Sequence, residues 1–176
     1  GRLTLYKSEL IGKEWTKPTP LKGIAEEESL ADYNYPFMLT DGATLYYAAN
    51  DEESLGGYDI YMTRYNADDQ EFLVPENIGM PFNSTANDYL FAIDEFHNLG
   101  WFATDRNMPN GKVCVYTFIP NETRQIYNEA ETGMEALRRY ASIYSIRDTW
   151  TDKNRVDKAL QNLKSLQMTK KAGNAA

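Results

Sequence analysis

His97 is the single histidine of this 176-residue chain, so any catalytic triad that uses histidine would depend on it. No Gly-x-Ser-x-Gly motif, which would mark a nucleophilic serine, accompanies it. Asp41, Asp59 and Asp94 are candidates for glycoside cleavage, because that reaction needs two carboxyl groups about 5 to 10 Å apart. The Ser-x-Asp-x-Gly-x-x-Trp box of sialidases is not matched. The sequence therefore predicts no catalytic residue, and "DEFHNLG" predicts that His97 lies in a solvated turn.

Two acidic segments, 50–54 ("NDEES") and 66–70 ("NADDQ"), contain the oxygen ligands that calcium prefers. Neither has the spacing of an EF-hand loop, and both fall at predicted turns, where Asn and Asp are common for backbone reasons. Cys114 is the only cysteine, and it lies in an alternating apolar segment that predicts an inert, buried thiol. The sequence therefore predicts no metal site and no cofactor.

Charge and composition narrow the classes of partner. The formal net charge is −8, from 26 acidic and 18 basic residues, which disfavours binding to the phosphates of nucleic acids. No apolar stretch reaches the roughly 18 residues needed for a membrane span. The 13 tyrosines and seven phenylalanines favour β-strands, because their rings pack well on a pleated surface.

The elements that must position these residues repeat along the chain. Gly56-Gly57 predicts a tight hairpin turn with positive φ, and the alternation after it predicts a strand. With its neighbours this strand forms a predicted antiparallel meander of four strands: "YPFML", "ATLYYAAND", "YDIYMT" and "EFLVPENIG". Tyr6, Tyr61 and Tyr116 are equally spaced along the chain, and we call their spacing the repeat interval. Four strands in a repeat of about 50 residues are typical of a propeller blade, whereas a plain antiparallel sandwich is the alternative.

The segment "YPFMLTDGATLYYAAND…GGYDIY…ENIGMPFNS" resembles the TolB-type, WD-like repeat of bacterial β-propellers. The resemblance covers 34–84 and continues more weakly over 88–120, where Asp94-Glu95 replaces Asp-Gly. It implies protein partners and a periplasmic or outer-membrane-associated location in the cell envelope. It also implies that the motif positions are structural; these are Asp41, Gly42, Gly56, Gly57, Asp59, Tyr61 and Tyr116.

The C-terminal third changes to a helical period. An apolar stripe predicts one helix with a face for partner binding, formed by Met134, Leu137, Ala141 and Tyr144. A second stripe, Val156, Leu160, Leu163 and Leu166, predicts another helix, with Thr149 and Asp152 as a loose capping box before it. The predicted organisation is thus a partial β-propeller over 2–122 (half blade 2–31, blades 32–86 and 87–122), a helical extension over 123–168 and a flexible tail over 169–176.

The predicted fold is therefore mainly β with an α-helical C-terminus: about two and a half four-stranded blades, then one or two helices. A closed propeller needs about four blades or more, so the open sheet edges require another form of protection. The chain is a piece of a longer propeller, or two copies complete each other, or the helices cover the open side; we expect the first. The predicted function is a non-enzymatic protein-interaction or scaffold module, with self-association through the open sheet edge or helices. The alternative is a carbohydrate-binding or glycoside-cleaving propeller.

Overall fold

The computed structural model describes residues 2–24, 30–121, 133–143, 145–150 and 152–173. Strands fill the first two thirds, and helices follow, which confirms the predicted mainly-β class with a helical C-terminus. The first strands are β1 (Tyr6–Lys7), β2 (Leu10–Ile11), β3 (Glu14–Trp15), β4 (Thr19–Pro20), β5 (Tyr33–Met38), β6 (Thr44–Ala49) and β7 (Asp59–Asn66). The remaining elements are β8 (Glu71–Phe72), β9 (Glu76–Asn77), β10 (Asp88–Asp94), β11 (Leu99–Thr104), β12 (Cys114–Phe118), α1 (Met134–Ser142), a 3-10 turn (Ile146–Thr149) and α2 (Lys153–Gly173).

The chain begins with two nested strand pairs, β2 with β3 inside β1 with β4. We call residues 2–24 the N-terminal hairpin. Gly12 lies at its tip with a φ of 66°, in the left-handed region that glycine enters without a steric penalty. All four strands have two residues each and are solvent-exposed. Although the hairpin contains four short strands, its length corresponds to only half of a four-stranded repeat unit.

The middle sheet contains β5, β6 and β7 in order, with β8 and β9 both paired to β7. The predicted fourth strand, "EFLVPENIG", is therefore two short strands along one partner. Pro75 lies between them, and proline has no N–H with which to continue a strand ladder. The C-terminal sheet contains β10, β11 and β12. A fourth strand in this unit would fall beyond residue 121, and residues 122–132 lie outside the described part of the chain.

The two larger sheets share one strand register. Tyr47 pairs with Tyr61 in the middle sheet, and Phe102 pairs with Tyr116 in the C-terminal sheet, one repeat interval later. Both ring pairs are stacked at an interplanar angle of 17°. Each sheet also has an irregularity at the same place in its first strand, after Asn34 in β5 and after Asp88 in β10. The described sheets do not form a closed ring or barrel, so the number of blades stays a prediction.

Three layers pack on one another: the N-terminal hairpin, the middle sheet and the C-terminal sheet. Because neighbouring strand residues face opposite sides, Tyr61 and Ile60 belong to different layers of core. We call the Tyr61 side of a sheet its front face and the Ile60 side its back face. The front of the middle sheet packs on the hairpin through Leu5, Ile24, Leu45, Tyr47 and Phe72. Its back packs on the C-terminal sheet through Tyr46, Phe82, Phe91, Phe102 and Tyr116.

The helical part differs from the prediction in three places. α1 ends at Ser142 with Ile143 in a left-handed conformation, so Tyr144 follows the helix and lies outside the described residues. The N-terminal cap of α2 is Asp152, whose Oδ1 accepts hydrogen bonds from the N–H groups of Asn154 and Arg155. The prediction that Thr149 begins this helix is wrong, because Thr149 belongs to the preceding 3-10 turn. α2 also extends to Gly173, well into the predicted flexible tail.

Candidate functional site

The junctions between layers are held by hydrogen bonds that repeat with the sequence. The N–H of Leu3 donates to Asp32 Oδ1 at 2.7 Å, and the N–H of Tyr58 donates to Asn87 Oδ1 at 3.1 Å. The two donors are one repeat interval apart, and so are the two acceptors. The same interval relates the bond from the Tyr33 N–H to the Leu3 carbonyl and the bond from the Asp88 N–H to the Tyr58 carbonyl. The hairpin therefore meets the middle sheet as the middle sheet meets the C-terminal sheet.

A second pair of bonds fixes the start of each first strand. The Asp32 N–H donates to Asn50 Oδ1 at 2.6 Å, and the Asn87 N–H donates to Asp105 Oδ1 at 2.8 Å. Asp32 and Asn87 thus bind their own sheet through the backbone and the preceding layer through the side chain. A short polar residue at this position aligns one layer on the next.

Gly56 and Gly57 have a different role from the one predicted. Neither has a positive φ, so the prediction of a turn that needs left-handed glycines is wrong here. Instead, both lie against the 85–87 segment of the next unit: a Cβ on Gly56 would be 2.4 Å from the Ala86 carbonyl oxygen, and one on Gly57 would be 1.9 Å from Asn87 Oδ1. The two glycines therefore allow close backbone contact between layers.

Asp59 is fully buried at the same junction. Its Oδ2 accepts hydrogen bonds from the Leu55 N–H at 2.9 Å and from Asn77 Nδ2 at 2.8 Å. Its Oδ1 has no hydrogen-bond partner among the described residues, and burial raises the pKa of this carboxyl group. Asn77 is linked in turn to the buried Asn83, which bonds to both the N–H and the carbonyl of Ile60. Asp59 is therefore part of a buried polar network and does not line an open cleft.

The sequence analysis missed the strongest charged contact of this junction. Arg106, only 4% exposed, donates to Asp88 Oδ1 at 2.7 Å, and Asp88 is fully buried. The same guanidinium donates to the carbonyls of Pro81, Phe82 and Ala141. Five donors in a planar fork suit such a convergence of oxygens. A single arginine in a polar sequence segment gives no signal for this role.

Asp41 and Gly42 form the turn before β6. Asp41 Oδ1 accepts from the N–H groups of Ala43 and Thr44, and these bonds, with that of the Thr44 hydroxyl, lower the pKa of Asp41 to about 2. Gly42 has a φ of 67° and is open to solvent, so here the prediction of a glycine turn agrees with the structure. All of these hydrogen bonds lie within the turn, so they support a structural role for Asp41.

The corresponding turn of the C-terminal sheet contains the catalytic candidates. His97 Nδ1 lies 2.6 Å from Asp94 Oδ2, and both side chains are 30% exposed. The N–H of His97 donates to Asp94 Oδ1, and bonds from His97 lower the pKa of Asp94. Neither residue bonds to a serine, threonine or cysteine in the described part of the chain. Asp59 is the first residue of β7, whereas Asp94 is the last residue of β10. No hydrogen bond connects the two carboxyl groups in the described part of the chain.

Other chemical candidates have structural surroundings. Asp51 in the first acidic segment accepts hydrogen bonds from the Glu53 N–H, the Ser54 hydroxyl and the Tyr61 hydroxyl. No group of three or more His, Cys, Asp or Glu side chains that could hold a metal ion occurs within the described ranges. Cys114 is only half-buried at the start of β12, not fully buried as predicted. None of the helices that the structure describes is long and apolar enough to cross a bilayer.

The outer strand β12 is a departure from the repeat on the back face of the C-terminal sheet, although Leu99 and Ala103 of β11 are buried on that same face. α2 also donates hydrogen bonds to the carbonyls of His97 and Pro120 at this sheet. Leu5, Ile60 and Val115 occupy the same position in successive units and are 7%, 0% and 58% exposed. Leu5 and Ile60 are covered by the next layer, whereas Val115 is not. Thr117, two residues further along the same face, is also exposed. At the opposite end of the stack, Tyr6 is exposed although its counterpart Tyr61 is buried.

The predicted helix face is only partly described. Met134 is exposed, and Ala141 is half-buried with its carbonyl on Arg106. The side chain of Leu137 and all of Tyr144 lie outside the described residues. Ile143, which directly follows the last residue of α1, packs beside the core between the two larger sheets. The end of α1 therefore contacts the sheets, while the binding role of its face stays a prediction.

Comparison with known proteins gave no relative. No protein-family model, no curated protein and no solved structure matches this chain. The resemblance to the TolB-type repeat is therefore supported only by the residues that carry it.

Proposed function

We propose that this chain is a non-enzymatic protein-interaction module, and that the exposed edge of the back face of its C-terminal sheet, at Val113 and Val115, is the docking surface. The observation that carries the proposal is the contrast between Ile60, fully buried, and Val115, 58% exposed, at equivalent positions. In the first two units this position is covered by another layer. Val113 and Val115 extend the exposed apolar surface along the same strand region. Apolar side chains that are exposed where the repeat elsewhere covers them are candidates for an interaction site.

The occupant that fits this face is the N-terminal hairpin of a second copy. The hairpin is basic, with five lysines or arginines and two glutamates, although the whole chain has a net charge of −8. Residues 87–121 are acidic, with four Asp or Glu and two Lys or Arg. The hairpin also exposes large apolar side chains of its own, which are Tyr6, Leu10, Ile11 and Trp15. Charge and apolar surface are therefore complementary between the two ends of the stack.

Two copies joined in this way would make reciprocal contacts. Each copy would place its basic hairpin on the exposed β12 edge of the acidic C-terminal sheet of the other, so that both exposed ends are covered at once. Such a head-to-tail arrangement closes when the rotation between the two copies is two-fold. It would also remove the open faces without any change inside either chain.

The resemblance extends the proposal. On this view the repeated sheets are about two and a half blades of a TolB-type β-propeller, in a periplasmic or outer-membrane-associated protein of the bacterial envelope. The Gly-Gly-x-Asp-Ile-Tyr motif and the equal strand registers support it. The glycoside alternative has less support, because Asp59 is buried and Asp41 is bonded within its own turn.

The test is the mass in solution by light scattering across a range of protein concentrations. We expect a dimer for the parent chain and a monomer for Val115→Asp, because a carboxylate would be desolvated at the centre of the contact. Val74→Asp is the matched control, since Val74 is 88% exposed in the loop between β8 and β9 and should leave the mass unchanged. Lys17→Glu should weaken association through the loss of charge complementarity.

A parent chain that stays monomeric at every concentration and at low salt would refute this docking. A dimer that survives Val115→Asp would refute the surface. A dimer that responds to Val115→Asp but not to Lys17→Glu, nor to a second reversal at Lys13, would refute the hairpin as the occupant.

A further inference from the structure

Three tyrosines, in β5, directly before β7 and in β10, meet at the end of the junction between the two larger sheets. The ring centroids of Tyr35, Tyr58 and Tyr89 are 6.2, 5.8 and 6.0 Å apart, so the rings form a nearly equilateral triangle. Tyr35 stands at a steep angle to the other two rings, with interplanar angles of 74° and 83°. It is 40% exposed, and Tyr58 and Tyr89 are half-buried. Two of the rings are therefore half-buried in the protein, and the third leaves one side of the cluster open to solvent.

The repeat does not account for these rings. The counterparts of Tyr58 in the units before and after it are Leu3 and Val113. At one repeat interval, Tyr35 corresponds to Leu90, and Tyr89 corresponds to Asn34. None of these counterparts is a tyrosine, so the layers elsewhere in the chain stack without one.

Tyr35 also has an unusual backbone. Its φ of 53° lies in the left-handed region, which a bulky residue seldom adopts. The Asn34 side chain accepts a hydrogen bond from the Tyr35 N–H and holds this conformation. Strained backbone of this kind is concentrated at ligand sites. The strain places the Tyr35 ring beside the other two.

Two carboxylates increase the attraction of the cluster for a cation. The Tyr89 hydroxyl donates to Asp105 Oδ2 at 3.0 Å, and burial together with the nearby Asp32 carboxylate raises the pKa of Tyr58. Burial and the bond to Asp105 raise the pKa of Tyr89 to about 12. No basic side chain forms an ion pair with Asp32 or Asp105 in the described part of the chain. A phenol that donates to a carboxylate has a more electron-rich ring, and the net negative charge nearby adds to the effect.

The hydrogen-bond pattern indicates which kind of cation. Asp105 already accepts from the Asn87 N–H, Asn87 Nδ2 and Tyr89, and Asp32 Oδ1 already accepts from the Leu3 N–H. Asp105 is thus largely satisfied, so a primary ammonium or guanidinium would find free acceptors only on Asp32 while it must replace all the hydrogen bonds it made to water. A quaternary ammonium has no N–H to satisfy. Because each ring attracts a cation within about 6 Å of its centroid, one such group above the triangle is within reach of all three rings.

We propose that Tyr35, Tyr58 and Tyr89 form a binding site for a quaternary ammonium group. This inference does not depend on the proposed docking surface, because the three rings and the exposed Val115 belong to different faces of the stack. A monomeric chain can therefore bind the group, and a dimeric chain can lack the site.

The test is an NMR titration of the whole chain with choline chloride and with its uncharged isostere 3,3-dimethyl-1-butanol. We expect choline to bind about tenfold more tightly, since the two probes share a shape and differ in the charge that the rings attract. L-arginine amide and D-glucose are parallel probes for a guanidinium and for a saccharide. Equal binding of the uncharged isostere, or tighter binding of arginine amide or glucose, would overturn the proposal.

Variants locate the site. Tyr35→Leu keeps apolar bulk but removes the ring, and it should weaken choline binding about tenfold. Tyr6→Leu removes a solvent-exposed ring outside the cluster and should have no effect. Tyr35→Trp tests the same point in a variant that keeps an aromatic ring and should bind choline at least as tightly as the parent. Unchanged affinity in Tyr35→Leu, or an equal loss in Tyr6→Leu, would contradict the assignment.

Discussion

The two junctions between layers have the same backbone hydrogen bonds but different cores. Where the N-terminal hairpin meets the middle sheet, Tyr33 packs its ring 6.0 Å from that of Tyr47. At the equivalent position of the second junction, Asp88 is buried in an ion pair with Arg106. The counterpart of Arg106 in the middle unit is Asp51. The repeat therefore fixes the position of each layer through the backbone, while the side chains at each junction are free to differ.

The difference affects how each junction tolerates change. An aromatic contact loses packing when one ring is removed, but a buried ion pair leaves an uncompensated charge. The second junction also contains the orphan Oδ1 of Asp59 and the bridging amide of Asn83. We expect it to be the more sensitive of the two to substitution and to pH.

The largest expected effect is that of breaking the buried pair. Arg106→Ala should lower the free energy of unfolding by about 3 to 5 kcal/mol, because it leaves the Asp88 carboxylate buried without a partner. Urea denaturation followed by circular dichroism measures it. Lys7→Ala is the control, since Lys7 and Glu9 form an exposed pair whose loss should cost less than about 1 kcal/mol. Similar losses for the two variants would remove the distinction between the junctions.

A smaller effect is expected from filling the space between layers. Gly57→Ala should cost about 1 to 3 kcal/mol, because its Cβ would overlap Asn87 Oδ1. The double variant Gly57→Ala with Asn87→Ala should recover part of this loss, since the obstructing atom is gone. Gly56→Ala meets backbone atoms of Thr85 and Ala86, so Asn87→Ala should not rescue it. Equal rescue of both glycine variants would mean that close contact is not the reason for the glycines.

The smallest expected effect is on pH dependence, and its sign distinguishes two aspartates. Burial raises the pKa of Asp59 above 3.8, so its contribution to stability falls as pH rises through that raised value. The pKa of Asp41 is lowered to about 2, so its contribution is present above 3.8 and is lost as pH falls toward 2. Asp59→Asn should therefore gain stability relative to the parent as pH rises, and Asp41→Asn should lose it. Denaturation midpoints between about pH 2 and pH 7 measure both trends. Parallel curves for the two variants would contradict the assignment of the shifts.

For the candidate docking surface, the sequence predicts which strand residues share a face. The alternation in β12 predicts that Val115 faces away from Tyr116, and the structure agrees. It does not predict that the Val115 side lacks a covering layer, because that depends on which segments pack in three dimensions. The same limit applies to the tyrosine cluster: Tyr35, Tyr58 and Tyr89 are far apart in sequence, and no local period connects them.

Features that arise from local backbone preference follow directly from the residue pattern. These are the strands, their common register, the glycine turn at Gly42 and the change from strand to helix near the C-terminus, since period and turn chemistry act over a few residues. Three features follow only from packing in three dimensions: Gly56 and Gly57 permit close approach, Arg106 is buried on Asp88, and Val115 is exposed on the edge strand β12. Those features depend on distances between atoms remote in the chain, and a linear pattern of residue types does not contain such distances.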